Sequence, residues 1–71
     1  MLLPATVERL AHLGANIDIT DSKSYLPTTV EAIIRAAKAS GGHVTISAGK
    51  FLPATLESFV RIGGNSVTIR I

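Results

Sequence analysis

Leu3-Pro4-Ala5-Thr6-Val7-Glu8 recurs as Leu26-Pro27-Thr28-Thr29-Val30-Glu31 and again as Leu52-Pro53-Ala54-Thr55-Leu56-Glu57. Each copy continues through an apolar-periodic stretch to a glycine stop and a short alternating segment. Self-similarity at a period of about two dozen residues is the mark of one supersecondary unit stacked against copies of itself. The units read as residues 3–20, 26–47 and 52–71.

Proline is favoured at the first helical position, where its missing N–H costs nothing, so Pro4, Pro27 and Pro53 start three helices. Four residues later stands a glutamate each time, Glu8, Glu31 and Glu57, near the helix end whose dipole favours negative charge. Four residues further stands His12, Arg35 or Arg61. A Glu-to-cation pair at i, i+4 is worth about 0.2–0.5 kcal/mol on a helix surface. Its appearance in every copy describes a solvated helix face rather than a catalytic carboxylate.

The apolar positions repeat as Leu3, Val7, Leu10, Ala11, Gly14; as Leu26, Val30, Ile33, Ile34, Ala37; and as Leu52, Leu56, Phe59, Val60, Gly63. These offsets trace one stripe of an α-helix. The helices are expected to stop at Gly14, at Gly41-Gly42 and at Gly63-Gly64, each with a left-handed glycine cap. Strict alternation follows: Asn16–Thr20, His43–Ser47 and Ser66–Ile71. In each, β-branched apolar residues point one way and polar residues the other.

The order αβαβαβ favours parallel strands with right-handed crossovers. A parallel strand covered on both faces is a near-continuous apolar run. These strands alternate instead, so all three helices belong on one face of a sheet with strand order 1-2-3. The rival order 2-1-3, with helices on both faces, buries polar rows. The fold class expected is therefore α/β, a two-layer, solenoid-like stack with a three-stranded parallel sheet. The open face carries the rows Asn16/His43/Ser66, Asp18/Thr45/Thr68 and Thr20/Ser47/Arg70. The shape is similar to a short arc of an α/β solenoid such as the leucine-rich repeats. That resemblance is architectural only, because the pattern L-x-x-L-x-L-x-x-N is absent, and it implies no function.

Composition narrows the function classes. A chain of 71 residues is one domain, and at about this size only roughly 60% of the unfolded surface is buried. With no cysteine, neither disulfides nor thiolate metal sites compensate. His12 and His43 have no ligand-like spacing, so association remains as the stabilising device. The net charge of +2 is spread along Arg9, Lys23, Arg35, Lys38, Lys50, Arg61 and Arg70, without the clustering that marks a nucleic-acid binder. The start, Met1-Leu2-Leu3-Pro4, has no basic leader. No apolar run reaches the ~18 residues of a membrane span. The cytoplasm is the expected location.

Ser22-Lys23-Ser24-Tyr25-Leu26-Pro27 and Ala48-Gly49-Lys50-Phe51-Leu52-Pro53 each place a lysine and an aromatic before a helix N-terminus. Lys23 and Lys50 with Thr28, Thr29 and Thr55 form a candidate anion site, the basis of an alternative reading as a binding domain for an anionic ligand or nucleic acid. The competing reading packs Tyr25 and Phe51 back on their helices. Ala48-Gly49-Lys50 is not a phosphate loop, since Val44 and Phe51 stand where glycine and Ser or Thr are required. His43 and Asp18 on an open sheet face lack the enclosure an acid–base site needs. No catalytic residue, cofactor or metal is expected.

The ends carry the main functional expectation. Helix one begins near Met1 and strand three runs to Ile71, so the array is read as uncapped. Strand three, Ser66, Val67, Thr68, Ile69, Arg70 and Ile71, is an edge of six residues without proline or lysine. Natural proteins rarely leave such an edge unprotected. Strand one is read as the shorter and better guarded edge, with Asp18 on its wet face. The expectation is a homo-oligomerisation or protein-interaction module with two candidate surfaces, the strand-three edge and the polar sheet face. Antiparallel pairing of strand three with itself gives a two-fold dimer, favoured over head-to-tail rings or filaments because it closes.

Overall fold

A computed structural model describes residues 3–20, 25–49 and 51–71. The elements run α1 (Pro4–His12), β1 (Asn16–Ile19), α2 (Pro27–Ser40), β2 (His43–Ser47), α3 (Pro53–Gly63), a 3₁₀ turn (Gly64–Ser66) and β3 (Val67–Arg70). The sheet is three-stranded and parallel, with order β1-β2-β3. The fold is α/β with the helices on one face of the sheet, as the alternation in the strands requires.

Register follows the polar rows. Asn16 pairs with His43, Asp18 with Thr45, Thr45 with Thr68, and Ser47 with Arg70. The intervening residues face the helices. Val44 and Ile46 of the central strand are fully buried; of the edge strands' inward residues, Ile19 is buried and Ile17, Val67 and Ile69 are partly buried. The same gradient runs through the helices. The middle helix α2 buries Val30, Ile33, Ile34, Ala36 and Ala37, while α1 buries only Val7 and Ala11. Full burial of one such aliphatic side chain stabilises by about 1.5–3 kcal/mol, so the core is concentrated in the middle unit.

Polar contacts tie the helices together. The Ser40 hydroxyl donates to the Ala11 carbonyl oxygen at 2.5 Å, joining the end of α2 to α1. The Lys38 ammonium donates to the Ile62 carbonyl at 3.4 Å, placing a cation at the carbonyl end of α3, where the helix dipole favours it. Phe51 packs edge-on against Phe59, with ring centroids 5.1 Å apart and planes at 86°. Tyr25 and Phe51 both rest on the core, so the aromatics before the helices are packing residues.

Four expectations are corrected. Leu3, Leu26 and Leu52 do not belong to the buried stripe; they are 72%, 70% and 69% exposed. Each precedes a proline, which holds it extended (φ −67 to −72°, ψ 147 to 153°), because the helical region clashes with the proline ring. An extended N-cap leaves the 3.6-residue register, and its side chain leaves the helix face. Second, Leu10 and Val60 are 37% and 44% exposed, although their counterparts in α2, Ile33 and Ile34, are fully buried. Helices α1 and α3 each lack a neighbour on one side.

The third correction concerns β3, which spans four residues, not six. Ser66 lies in the 3₁₀ turn and Ile71 outside the strand. β1 also spans four residues, with Thr20 outside it, so the two edges are equal in length and β1 is not the shorter. Fourth, Gly41 takes the left-handed conformation (φ 83°, ψ 11°), but Gly64 does not (φ 55°, ψ −126°). Gly64 turns the chain into the 3₁₀ turn, whose Val67 N–H donates to the Gly64 carbonyl. That detour delays the start of β3.

Candidate functional site

The expected interface residues fall on two surfaces. Thr68 and Arg70 point to the open polar face and are exposed, while Val67 and Ile69 turn toward the helices and are half-buried. Ser66 is half-buried in the 3₁₀ turn, and Ile71 beyond the strand is fully exposed. The backbone completes the edge. The Ala48 N–H donates to the Arg70 carbonyl at 2.9 Å, on the β2 side. In a parallel ladder both polar groups of one residue face the same neighbour and successive residues alternate. The N–H and C=O of Ile69 therefore face outward, away from β2, where none of the described strands lies.

The outward edge is continuous with a shallow apolar groove. Leu56 and Val60 of α3 and Ile69 of β3 line it, and Glu57 and Arg61 stand at its rim. Sequence reasoning placed Leu56 and Val60 in the core stripe and Glu57 and Arg61 on a solvated face. It missed that these residues belong together at a free flank. The available signal was the strand order: with order 1-2-3, the side of α3 that corresponds to Ile34 of α2 has no helix to meet.

The rim pair differs from its counterparts. His12 Nε2 lies 3.7 Å from Glu8 Oε2, and Arg35 Nη2 lies 3.9 Å from Glu31 Oε1. Among the described residues, Glu57 and Arg61 make no such pair.

The open face of the sheet is cross-linked internally. His43 Nε2 and Thr68 Oγ1 lie 2.6 Å apart, a hydrogen bond whose donor follows the imidazole tautomer. Arg70 donates to Asp18 at 2.5 Å and to the Ser47 hydroxyl at 3.4 Å. His43 and Asp18 thus have separate partners on β3, and the structure does not bring them together. Among the described residues, no three His, Asp or Glu side chains converge, and no helix is long and apolar enough to cross a membrane.

The candidate anion site is not assembled from the described residues. Lys23 and Lys50 lie outside them. Thr28 is exposed and Thr55 half-buried on the first turns of α2 and α3, and neither helix has a side-chain cap. A groove and a free strand edge, joined at Ile69, form the surface with the clearest capacity to bind. No protein-family model matches this chain, and no curated protein and no solved structure matches it either.

Proposed function

We propose that the chain is a small, repeat-built interaction module that associates with copies of itself through the β3 edge, a two-fold dimer being the favoured assembly. The observation that carries this reading is the outward-facing backbone of Ile69, a hydrogen-bonding edge flanked by partly buried apolar side chains. Unpaired strand edges recruit other strands. A domain of this size is also short of buried surface, and association supplies more. Closed two-fold symmetry is the commonest outcome when a surface pairs with itself. The role is binding rather than catalysis, and the cysteine-free composition suits a reducing compartment such as the cytoplasm.

Solution mass by light scattering over a wide concentration range tests this reading. A species at twice the 7.4 kDa of the chain, persisting on dilution into the micromolar range, supports it. A chain that stays at its monomer mass throughout overturns it.

A further inference from the structure

The geometry points to the occupant of the α3/β3 groove: a second copy of this chain, related by a two-fold axis at the level of Ile69. In that arrangement Glu57 of each copy pairs with Arg61 of the other. The inference rests on the self-association proposed above and specifies its contacts.

Three independent features place the axis at the same level. On the strand, alternation turns the backbone groups of Val67 and Ile69 outward, but the Val67 N–H already donates to the Gly64 carbonyl, so Ile69 is the β3 residue that offers both groups. An antiparallel pair centred there lets Ile69 of each copy exchange both backbone bonds with its mate, as residues of a hydrogen-bonded pair do. In the groove, Ile69 lies level with the segment from Leu56 to Arg61. On the helix, Glu57 and Arg61 are spaced evenly about Phe59, about 6 Å apart along the axis. Two α3 helices running antiparallel past that axis set each glutamate opposite the other copy's arginine.

The charges suit a partner that presents the same pair in reverse. Glu8–His12 and Glu31–Arg35 close on themselves; Glu57 and Arg61 leave one negative and one positive group at the rim of an apolar strip. Val60, with Leu56 beside it, supplies surface whose counterpart in α2, Ile34, is covered by α3 at Gly63. Because the axis stands normal to the sheet, the two sheets join into one of six strands with all helices on the same face. The contact is self-complementary, residue i meeting j while j meets i, so it closes as a dimer. Head-to-tail addition of β1 to β3 instead sets Val60 against Leu10 of the next copy and does not close.

Charge reversal tests the pairing. Glu57→Arg and Arg61→Glu are made singly and together, and the dimer dissociation constant is measured by sedimentation equilibrium at low salt. Each single variant places like charges opposite each other twice, and its dissociation constant is expected to rise by about tenfold or more. Mixing the two singles restores both pairs in a heterodimer, and the double variant restores them in a homodimer. Recovery to wild-type strength in both supports the inference. Far-UV circular dichroism at the wild-type level confirms that the exposed substitutions leave the helices intact.

The failures are distinct. A wild-type dimer that both single reversals leave untouched means the copies meet elsewhere, which overturns this contact and leaves self-association standing. A mass that climbs without limit overturns the two-fold in favour of head-to-tail stacking. A monomeric wild type overturns the contact and the self-association together.

Discussion

Arg70 of β3 reaches over the central strand to Asp18 of β1, its Nη2 lying 2.5 Å from Oδ2. Between them sits Ser47 of β2, whose hydroxyl accepts from Nη1 of the same guanidinium at 3.4 Å. One side chain thus spans all three strands, and it does so on the face that carries no helix. Both partners are about half exposed, at 46% and 55% of their side-chain surface. Exposed pairs of this kind contribute about 0–1 kcal/mol, because water competes for each charge.

The pair is accordingly expected to matter little to stability. Asp18→Asn and Arg70→Gln should each cost less than about 1 kcal/mol in urea unfolding, and the double-mutant coupling should shrink as salt is raised. A cost several times larger would show that this face is covered.

The two sides of β3 should respond oppositely to lysine. Ile69 rests on the core, and Ile69→Lys gives up part of the ~1.5–3 kcal/mol of a buried aliphatic and brings a charge against apolar neighbours. Partial or complete unfolding is expected by circular dichroism. Thr68→Lys loses the His43 contact but keeps its head group in water, and a change within about 1 kcal/mol is expected. A folded Ile69→Lys with native stability would mean the strand phase is wrong.

The helix N-termini leave stability unused. Leu26 is the N-cap of α2, with no side-chain cap and little contact to lose. Leu26→Asp adds an acceptor for a first-turn N–H and a charge that suits the dipole, for an expected gain of about 1 kcal/mol in thermal or urea unfolding. A loss of stability in that variant would indicate that the exposed leucine packs against something in the folded chain.

Two glycines should fail for different reasons. A Cβ at Gly63 runs into the Val67 side chain and comes within 2.7 Å of Ile34 Cγ2. Gly63→Ala should therefore destabilise by about 1–3 kcal/mol despite its better helix propensity. At Gly41 a Cβ meets nothing within 4 Å, but φ is +83°. Gly41→Ala should cost about 1 kcal/mol through backbone strain alone, and Gly41→Asn, which tolerates that region, should cost less. Urea unfolding of the three variants separates steric from conformational cost.

Local periodicity carried much of the architecture. A proline at N1, a 3.6-residue apolar stripe and a terminal glycine define a helix through contacts a few residues apart, so all three helices were legible one by one. Alternation in the strands was enough to put the helices on one face, because a single polar row cannot be buried without partners. These readings depend on neighbours along the chain, which the sequence displays directly.

Tertiary structure decided what depends on neighbours in space. Leu10 and Val60 occupy the same stripe positions as Ile33 and Ile34, yet burial requires a helix on the facing side, and only α2 has one on both. The proline that starts each helix also turned Leu3, Leu26 and Leu52 outward, a local effect outweighing the apolar pattern. The reach of Arg70 to Asp18 and of His43 to Thr68 depends on long side chains crossing strands, which register alone leaves open. The groove at Ile69 and the open Glu57/Arg61 pair exist because α3 and β3 end the layer together, and only the assembled fold brings those two flanks side by side.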